Sequence, residues 1–254
     1  MKYINTYERN VLIDDIPALI LTPKNDAKLH PTVILYHGWG SSVEKQRFRG
    51  MILSNLGFQV IIPCSIHHGN RDSIDHTKVE NAGKYFWKII FQNIDESSKI
   101  IQYAIKEFNA DQKNIGVCGN SMGGFTAAGV FATNIDLNAL VVFNGSCNWD
   151  ISNEIFIKSL NMYDVEIPEE LQDKLDKHNP MKNLQHIINR PILMLHGDSD
   201  TSVDVRAQIE FYGEIKKMYT DPSRLEFITY KNLNHYVTTN MMEEAAIWFD
   251  KYLS

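Results

Sequence analysis

The chain has 254 residues, of which 44% are hydrophobic and 22% charged, and its formal net charge at pH 7 is −6. These fractions are typical of a globular protein and exclude disorder or low complexity as a description of the whole chain. A nucleic-acid-binding protein normally has a basic balance or a basic stripe, and this sequence has neither. An acidic protein also gains nothing at an anionic membrane surface.

The cysteines and the amino terminus bear on the compartment. Three cysteines without a CxxC pair indicate neither a disulfide framework nor a zinc site. Charged residues interrupt the first twenty positions, which leaves no apolar core for a signal peptide. The longest apolar runs have four or five residues, whereas a transmembrane helix needs about 20. We therefore expect a cytoplasmic protein without stable membrane insertion.

Short β-branched runs alternate with longer helical patterns along the chain. This alternation predicts an α/β fold with a mostly parallel, twisted sheet of about eight strands flanked by helices. The predicted strands are residues 4–13, 16–21, 32–37, 59–63, 114–118, 139–143, 191–196 and 225–230. The predicted helices are residues 43–56, 79–108, 121–132, 203–219 and 240–252. We expect the first two strands to be antiparallel and to lie near one edge of the sheet.

One long segment interrupts the alternation. Residues 147–190, after the sixth strand, have helical patterns but no strand, and a connection of this length in a compact domain is usually functional. We predict that this segment, called the cap below, is a small helical insertion within one domain that spans residues 1–254. Its residues 150–177 hold eight acidic residues and three lysines, together with apolar residues that are suited to line a pocket.

A G-x-S-x-G motif lies between an apolar strand and a helix rich in small residues. It comprises Gly119, Asn120, Ser121, Met122 and Gly123. A strand, a tight turn and a helix form the context in which a nucleophile elbow exposes its serine. The serine would also lie at a helix N-terminus, where negative charge is favoured. We predict Ser121 as a nucleophile, and the alternative is a serine that only caps the helix.

A serine nucleophile needs a neutral imidazole as base and a carboxylate that orients this imidazole. With a nucleophile elbow, the chain order is serine, acid, histidine. Asp200 follows a predicted strand and His235 precedes the last helix, so both fall at the carboxyl edge of the sheet. We predict them as acid and base. Asp198 and Asp204 are the alternative acids, as a turn former and a first-turn helix charge, and His196 is expected to be a structural hydrogen bonder.

A tetrahedral intermediate also needs hydrogen-bond donors for its oxyanion. The backbone N–H of Met122, which follows the nucleophile, is the first candidate. The second is the N–H of Trp39 in the segment His37–Gly40, called the HGWG loop below, which follows an early strand. The alternative for this loop is an ordinary glycine-rich turn.

Two adjacent histidines, His67 and His68, follow the fourth strand. Adjacent residues on an extended chain point apart, and no further ligand recurs at a suitable spacing. We therefore expect a polar loop at the rim of the site, with no metal and no cofactor.

Together these motifs resemble the α/β-hydrolase superfamily, and more narrowly the small bacterial serine esterases of the dienelactone-hydrolase-like and prolyl-oligopeptidase-like group. The resemblance covers nearly the whole chain. It rests on the segments HGWGSS, P-x-x-x-HHG-x-R, FW-x-x-I-x-x-NI-x-E, GNSMGG, HGDSDTSV, NHYV and WFDKYL.

The resemblance implies a carboxylic-ester hydrolase with a catalytic triad, a helical cap and no cofactor. By position, Ser121, Asp200 and His235 match the triad, and Trp39 and Met122 match the oxyanion hole. Dienelactone hydrolases often use a cysteine nucleophile, so the serine here argues against that activity. We expect a small ester as the partner and no nucleic acid, and the oligomeric state stays open. The alternatives are a serine peptidase of the prolyl-oligopeptidase type and a non-catalytic binding protein with this fold.

Overall fold

A computed structural model of the protein describes residues 5–159 and 167–253. The described residues form one eight-stranded sheet with the order β1-β2-β4-β3-β5-β6-β7-β8. The strands are β1 Thr6–Ile13, β2 Ile16–Pro23, β3 His30–Tyr36, β4 Gln59–Pro63, β5 Ala110–Asn120, β6 Ala139–Phe143, β7 Ile192–Gly197 and β8 Leu225–Tyr230.

The sheet is mostly parallel, as the alternation of strands and helices predicted. The six strands from β4 to β8 in the sheet order pair in parallel. Their carboxyl ends therefore meet at one edge, which is where open α/β sheets place their sites. The antiparallel expectation for the first two strands is confirmed, because β1 pairs with β2 and β2 pairs with β4 in that sense.

Helices cover both faces of the sheet. They are α1 Val43–Asn55, α2 Val79–Glu107, α3 Met122–Thr133, α4 Trp149–Ser159, α5 Glu169–His178, α6 Arg206–Ile215 and α7 Thr239–Leu253. Alternation along β3 shows how the faces divide. Val33 and Leu35 belong to the core under α1 and α7, whereas Ile34 and Tyr36 belong to the core under α2 and α3. A strand covered on both faces is apolar on both, as β3 is from Val33 to Leu35.

The cap contributes two helices, α4 and α5, between β6 and β7. Trp149, the first residue of α4, is fully buried and lies 4.9 Å from the ring of Trp87 on α2. Its backbone N–H donates to the side-chain oxygen of Asn179, which follows α5. Residues 160–166 of the predicted cap lie outside the described residues.

Several boundaries differ from the sequence-based expectation. The amino half of β5 is polar and exposed, so its strand character was hidden. Pro31 interrupts the register between β3 and β5, because proline has no N–H to give to the ladder. The helix predicted over 203–219 is α6 followed by the 3₁₀ turn Lys216–Met218. The predicted start of the first strand at residue 4 lies outside the described residues.

None of the helices within residues 5–159 and 167–253 combines the length and the apolar character that crossing a bilayer requires.

Candidate active site

The loops at the carboxyl ends of β3, β5, β7 and β8 carry the predicted site residues. Tyr36 at the end of β3 leads into the HGWG loop, and Asn120 at the end of β5 leads into Ser121. Asp200 and His235 follow β7 and β8. Because these strands are parallel, residues far apart in sequence share one edge of the sheet.

Ser121 occupies a strained turn between β5 and α3. Its backbone has φ 58° and ψ −124°, a conformation that a non-glycine residue adopts at a cost of about 1–3 kcal/mol. Its N–H donates to the carbonyl of Phe143 at 2.9 Å, which fixes the turn against the end of β6. Its side chain makes no capping hydrogen bond to α3. The alternative of a serine that only caps the helix therefore does not describe this residue.

Close backbone approach explains a glycine of the motif. A Cβ atom on Gly123 would lie 2.2 Å from the carbonyl oxygen of Tyr36. Only glycine fits this contact, which brings the first turn of α3 against the end of β3. The G-x-S-x-G pattern is therefore needed to bring the serine and the HGWG loop together.

A short side-chain hydrogen bond joins Asp200 and His235. His235 Nδ1 lies 2.7 Å from Asp200 Oδ2. The carboxylate is fully buried, whereas 22% of the His235 side chain is exposed. The other carboxylate oxygen, Oδ1, accepts the backbone N–H groups of Ser202 at 2.8 Å and Val203 at 2.9 Å.

The environment of Asp200 keeps the carboxylate ionised. Burial alone would raise its pKa, but hydrogen bonds from His196, His235 and the amide of Val203 outweigh burial and hold the pKa well below its usual value. His196 Nε2 lies 3.3 Å from Asp200 Oδ2 and 2.9 Å from the carbonyl of Val203. His196 is therefore a buried hydrogen-bonding residue behind the acid, in agreement with the role expected for it.

The alternative acids have other partners. Asp198 accepts the N–H of Asn232 at 2.7 Å and joins the two loops that follow β7 and β8. Asp204 forms an ion pair with Arg206 at 2.6 Å and accepts the N–H of the same residue. Neither carboxylate contacts His235 among the described residues.

The two predicted oxyanion donors are backbone amides at the carboxyl edge of the sheet. Neither the N–H of Trp39 nor that of Met122 donates to an acceptor within the described part of the chain. Met122 begins α3, so its amide belongs to the unsatisfied first turn of a helix. A Cβ atom on Gly38 would lie 3.2 Å from the Cβ of Ser121. The HGWG loop thus passes directly beside the serine.

Ser121 and His235 lie in two different loops, which follow β5 and β8. Within the described residues, Ser121 Oγ makes no hydrogen bond to His235. The structure does link their backbones: Asn144, the residue after Phe143, donates from Nδ2 to the carbonyl of Tyr236 at 3.0 Å.

Aromatic side chains lie next to this edge. Phe125, in the first turn of α3, is buried, and its ring centre lies 5.5 Å from that of Phe86 on α2. The ring of Phe86 is partly exposed and contacts Trp39 of the HGWG loop at 6.3 Å and Trp87 at 5.4 Å. These rings give the site an apolar wall.

Residues 80–254, more than half of the chain, match the prolyl oligopeptidase family. The chain belongs to the prolyl oligopeptidase family.

This prolyl oligopeptidase family member is also similar to named relatives along nearly its whole length. It is 30% identical over 255 residues to "Putative esterase YitV" of Bacillus subtilis (strain 168), covering 96% of this chain and 98% of that protein. It is 26% identical over 255 residues to "Esterase YjfP" of Escherichia coli (strain K12), covering 94% and 96%. TT1662 from Thermus thermophilus, at 16% identity, superposes with a TM-score of 0.76 over 98% of both chains and shows the shared fold.

These similarities confirm the α/β-hydrolase fold and support a hydrolase of the esterase or peptidase kind.

Sequence reasoning missed two asparagines of this prolyl oligopeptidase family member. Asn144 is fully buried at φ 44°; its Oδ1 accepts the N–H of Gly197 at 3.0 Å, in addition to its bond to Tyr236. Asn234 accepts the N–H groups of Thr201 and His235 through Oδ1, at 2.9 and 2.8 Å. The available signal was an Asn-Gly pair directly after β6, which marks a turn. Apart from the N–H of the neighbouring His235, these partners lie 33 to 92 residues away in sequence, so no local pattern showed them.

Proposed function

We propose that the chain is a serine carboxylesterase of the EC 3.1.1 type that hydrolyses small, neutral carboxylic esters through an acyl-enzyme on Ser121. The observation that carries this proposal is the 2.7 Å contact between His235 Nδ1 and Asp200 Oδ2, at the edge that holds the strained Ser121. Because the carboxylate accepts the Nδ1 proton, Nε2 of the neutral imidazole keeps its lone pair. His235 is then the general base, and Asp200 orients it.

The reaction proceeds in two halves. His235 Nε2 takes the proton of the Ser121 hydroxyl as Oγ forms a bond to the ester carbonyl carbon, and the carbonyl oxygen becomes an oxyanion. The N–H groups of Trp39 and Met122 stabilise this charge. The carbon–oxygen bond to the alcohol then breaks, and the alcohol leaves with the proton from His235. Water repeats the sequence on the acyl-enzyme and releases the acid.

Within the described residues Ser121 Oγ makes no hydrogen bond to His235, which is compatible with this proposal. Catalytic hydrogen bonds are often long in ligand-free enzymes and tighten in the complex with substrate. The hydrogen bond from Asn144 to Tyr236 holds the histidine loop at the end of β6, where the Ser121 amide is also anchored.

Two features support small, neutral substrates. The partly exposed rings of Phe86 and Trp39 offer apolar contact to an acyl chain. Residues 150–177 of the cap hold eight acidic residues and three lysines, so their field opposes an anionic substrate. We propose that residues 147–190 form a cap over Ser121 within a single domain. We expect kcat/KM for a short acyl-CoA to be lower than kcat/KM for the neutral ester with the same acyl group. Added salt should reduce the difference between the two kcat/KM values.

The same proposal covers the ligands and the cellular compartment of the enzyme. The enzyme acts on a small-molecule ester. It binds no nucleic acid, uses no cofactor or metal, and does not insert stably into a membrane. The three unpaired, buried cysteines support the reducing cytoplasm as its compartment.

Hydrolysis of p-nitrophenyl esters from acetate to laurate tests the proposal. We expect turnover in the wild type and a fall in kcat on the order of 10⁶ in Ser121→Ala. Ser199→Ala is the matched control, because that hydroxyl is on the same edge but donates to Asp198. Turnover that persists in Ser121→Ala would remove this serine from the mechanism. The ester with the highest kcat/KM reports the size of the acyl site.

A peptidase is the second candidate, favoured by the match to the prolyl oligopeptidase family. Aminoacyl and dipeptide anilides, measured beside esters of the same acyl groups, distinguish the two. A kcat/KM for the anilide above that of the ester would favour the peptidase. A folded protein that a fluorophosphonate does not label would favour a non-catalytic binding protein with this fold.

A further inference from the structure

The HGWG loop is held in place by the loop that follows β4. His68 Nε2 accepts the backbone N–H of Gly40 at 3.1 Å. The N–H of Ser65 donates to His37 Nε2 at 3.1 Å. A third bond runs from Trp39 Nε1 to the carbonyl of His76 at 2.9 Å. These three hydrogen bonds join two loops that are about thirty residues apart in sequence.

The hydrogen bonds define the protonation of His37 and His68. A backbone N–H can only donate, so the Nε2 atom that receives it must carry a lone pair. Each Nδ1 then holds the proton: His37 Nδ1 donates to the carbonyl of Gly38, and His68 Nδ1 donates to that of Ile66, both at 3.0 Å. Both imidazoles are therefore neutral, and each has both nitrogens engaged.

Burial agrees with this neutral state. The side chains of His37 and His68 are shielded, with residue exposures of 0% and 1%. Burial is the main cause that lowers the pKa of His37 to about 4 and that of His68 to about 3. The rings of His37 and His76 lie 4.7 and 4.1 Å from that of His68, so a charge on any one of the three opposes a charge on the others.

Hydrogen bonds from His37 and to His68 fix the peptide groups on both sides of Trp39. The carbonyl of Gly38 accepts from His37 Nδ1 and from the N–H of Ser41 at 3.1 Å. The peptide is trans, so the N–H of Trp39 lies on the opposite side of that peptide, away from these donors. The following peptide carries the N–H of Gly40, which His68 accepts. Gly40 has φ 63°, and a Cβ there would lie 3.2 Å from the Cβ of His76.

We propose that His68 is a positioning residue: by accepting the N–H of Gly40, it holds the Trp39 amide in the direction that stabilises the oxyanion. This inference rests on the proposed function, which assigns the oxyanion to that amide. His68 touches neither substrate nor Ser121 in this role. The bonds to the Gly38 carbonyl hold the peptide that carries the Trp39 N–H, and the bond to His68 holds the next peptide. Without the His68 acceptor, the peptide between Trp39 and Gly40 can rotate, so the backbone of Trp39 is fixed on one side only and its N–H is held less firmly. The loss falls on the transition state, because the ground-state ester carries little charge on its carbonyl oxygen.

Replacing His68 with glutamine or asparagine tests the Nε2 acceptor apart from the rest of the side chain. In His68→Gln the side-chain oxygen reaches the position of Nε2 and can accept the Gly40 N–H. In His68→Asn the shorter side chain reaches only the position of Nδ1, so the bond to Ile66 can form and the bond to Gly40 cannot. His67→Asn is the matched control, because His67 contacts Tyr85 and the carbonyl of Asp72 rather than the HGWG loop.

The readouts are kcat and KM for a p-nitrophenyl ester, and inhibition by a trifluoromethyl ketone with the same acyl chain. The ketone forms a hemiketal with the serine, and its oxygen becomes the oxyanion. For His68→Asn we expect kcat to fall on the order of 10², KM to stay within about twofold, and the inhibition constant to rise as kcat falls. His68→Gln should recover most of the wild-type kcat and most of the affinity for the ketone, and His67→Asn should behave as the wild type.

The outcomes separate this inference from the proposed function. Equal kcat values in the folded Asn and Gln variants, or a rise in KM at constant kcat, would overturn the positioning role while wild-type Ser121 still reacts with a fluorophosphonate. A wild type that shows no reaction of Ser121 with a fluorophosphonate would overturn the proposed function, and with it this role.

Discussion

His235 Nδ1 lies 2.7 Å from Asp200 Oδ2, on a carboxylate that is fully buried. Four donors surround that carboxylate: the two imidazoles of His235 and His196, and the amides of Ser202 and Val203. The interior favours the ionised form only because these donors replace water. These donors hold the pKa of Asp200 well below its usual value, so the acid keeps its negative charge and accepts the Nδ1 proton of His235.

Asp200→Asn should lower kcat by about 10⁴ without unfolding the protein. An amide in place of the carboxylate can donate to His235 Nδ1, which moves the imidazole proton to Nε2 and blocks its role as base. The control is Asp204→Asn, since Asp204 pairs with Arg206 on the surface side of the same loop. Ester hydrolysis and the thermal midpoint of both variants check this prediction. An Asp200→Asn variant with kcat within tenfold of wild type would show that another acid orients the imidazole.

Stability should fall as the pH falls from about 6.5 to about 4. The pKa values of His37 and His68 in the folded protein are lowered to about 4 and about 3. In this window the unfolded chain binds a proton on each imidazole and the folded protein does not. Each histidine therefore contributes a slope of up to about 1.4 kcal/mol per pH unit.

Urea unfolding from pH 8 to pH 4 measures that slope. His68→Gln removes one of the two groups, so the pH dependence should be shallower than in wild type below pH 6.5 and parallel to it above pH 7. Parallel curves over the whole range would mean that the folded protein binds a proton on His68 as readily as the unfolded chain does.

Asn144→Ala should cost about 2–4 kcal/mol of unfolding free energy and lower kcat at least tenfold. The change leaves the N–H of Gly197 and the carbonyl of Tyr236 without partners, and it loosens the loop that carries His235. Asn232→Ala is the control, because Asn232 has a similar backbone, φ 57°, on an exposed turn. The comparison separates backbone strain from the lost hydrogen bonds. Equal losses of stability in both variants would assign the whole effect to the backbone.

The sheet and its helices could be predicted because apolar periodicity records burial directly. The longest helix, α2, was predicted over 79–108 and runs Val79–Glu107. Exposed polar residues at the start of β5 carry no such signal, so its first half was missed. The helical pattern also continued past the end of α6, where the chain forms the 3₁₀ turn Lys216–Met218.

The candidate site could be located because parallel strands bring their carboxyl ends together. Chain order and strand ends were enough to select Asp200 and His235, and the structure brings them into contact. The hydrogen bonds that support the site could not be predicted in the same way. His68 and Gly40 are 28 residues apart, and Asn144 and Tyr236 are 92 apart. Such pairs depend on loop conformations that only the folded chain defines.

Gly38→Ala should impair catalysis more than stability. An added Cβ would lie 3.0 Å from the carbonyl oxygen of Asn120 and 3.2 Å from the Cβ of Ser121. The HGWG loop must then move by a few tenths of an ångström away from the serine. We expect kcat to fall at least tenfold, because misplacement of a catalytic group by about 1 Å can cost 10²-fold. The unfolding free energy should fall by about 1–3 kcal/mol, as for other overpacked sites.

Gly83→Ala is the matched control for this methyl group. Gly83 lies in α2 with no atom within 4 Å of its Cβ position, so alanine there should stabilise the protein by about 0.5–1 kcal/mol and leave kcat unchanged. Steady-state kinetics with a p-nitrophenyl ester and urea unfolding of both variants give the comparison. A Gly38→Ala enzyme with wild-type kcat would mean that the position of the HGWG loop relative to Ser121 does not limit the reaction.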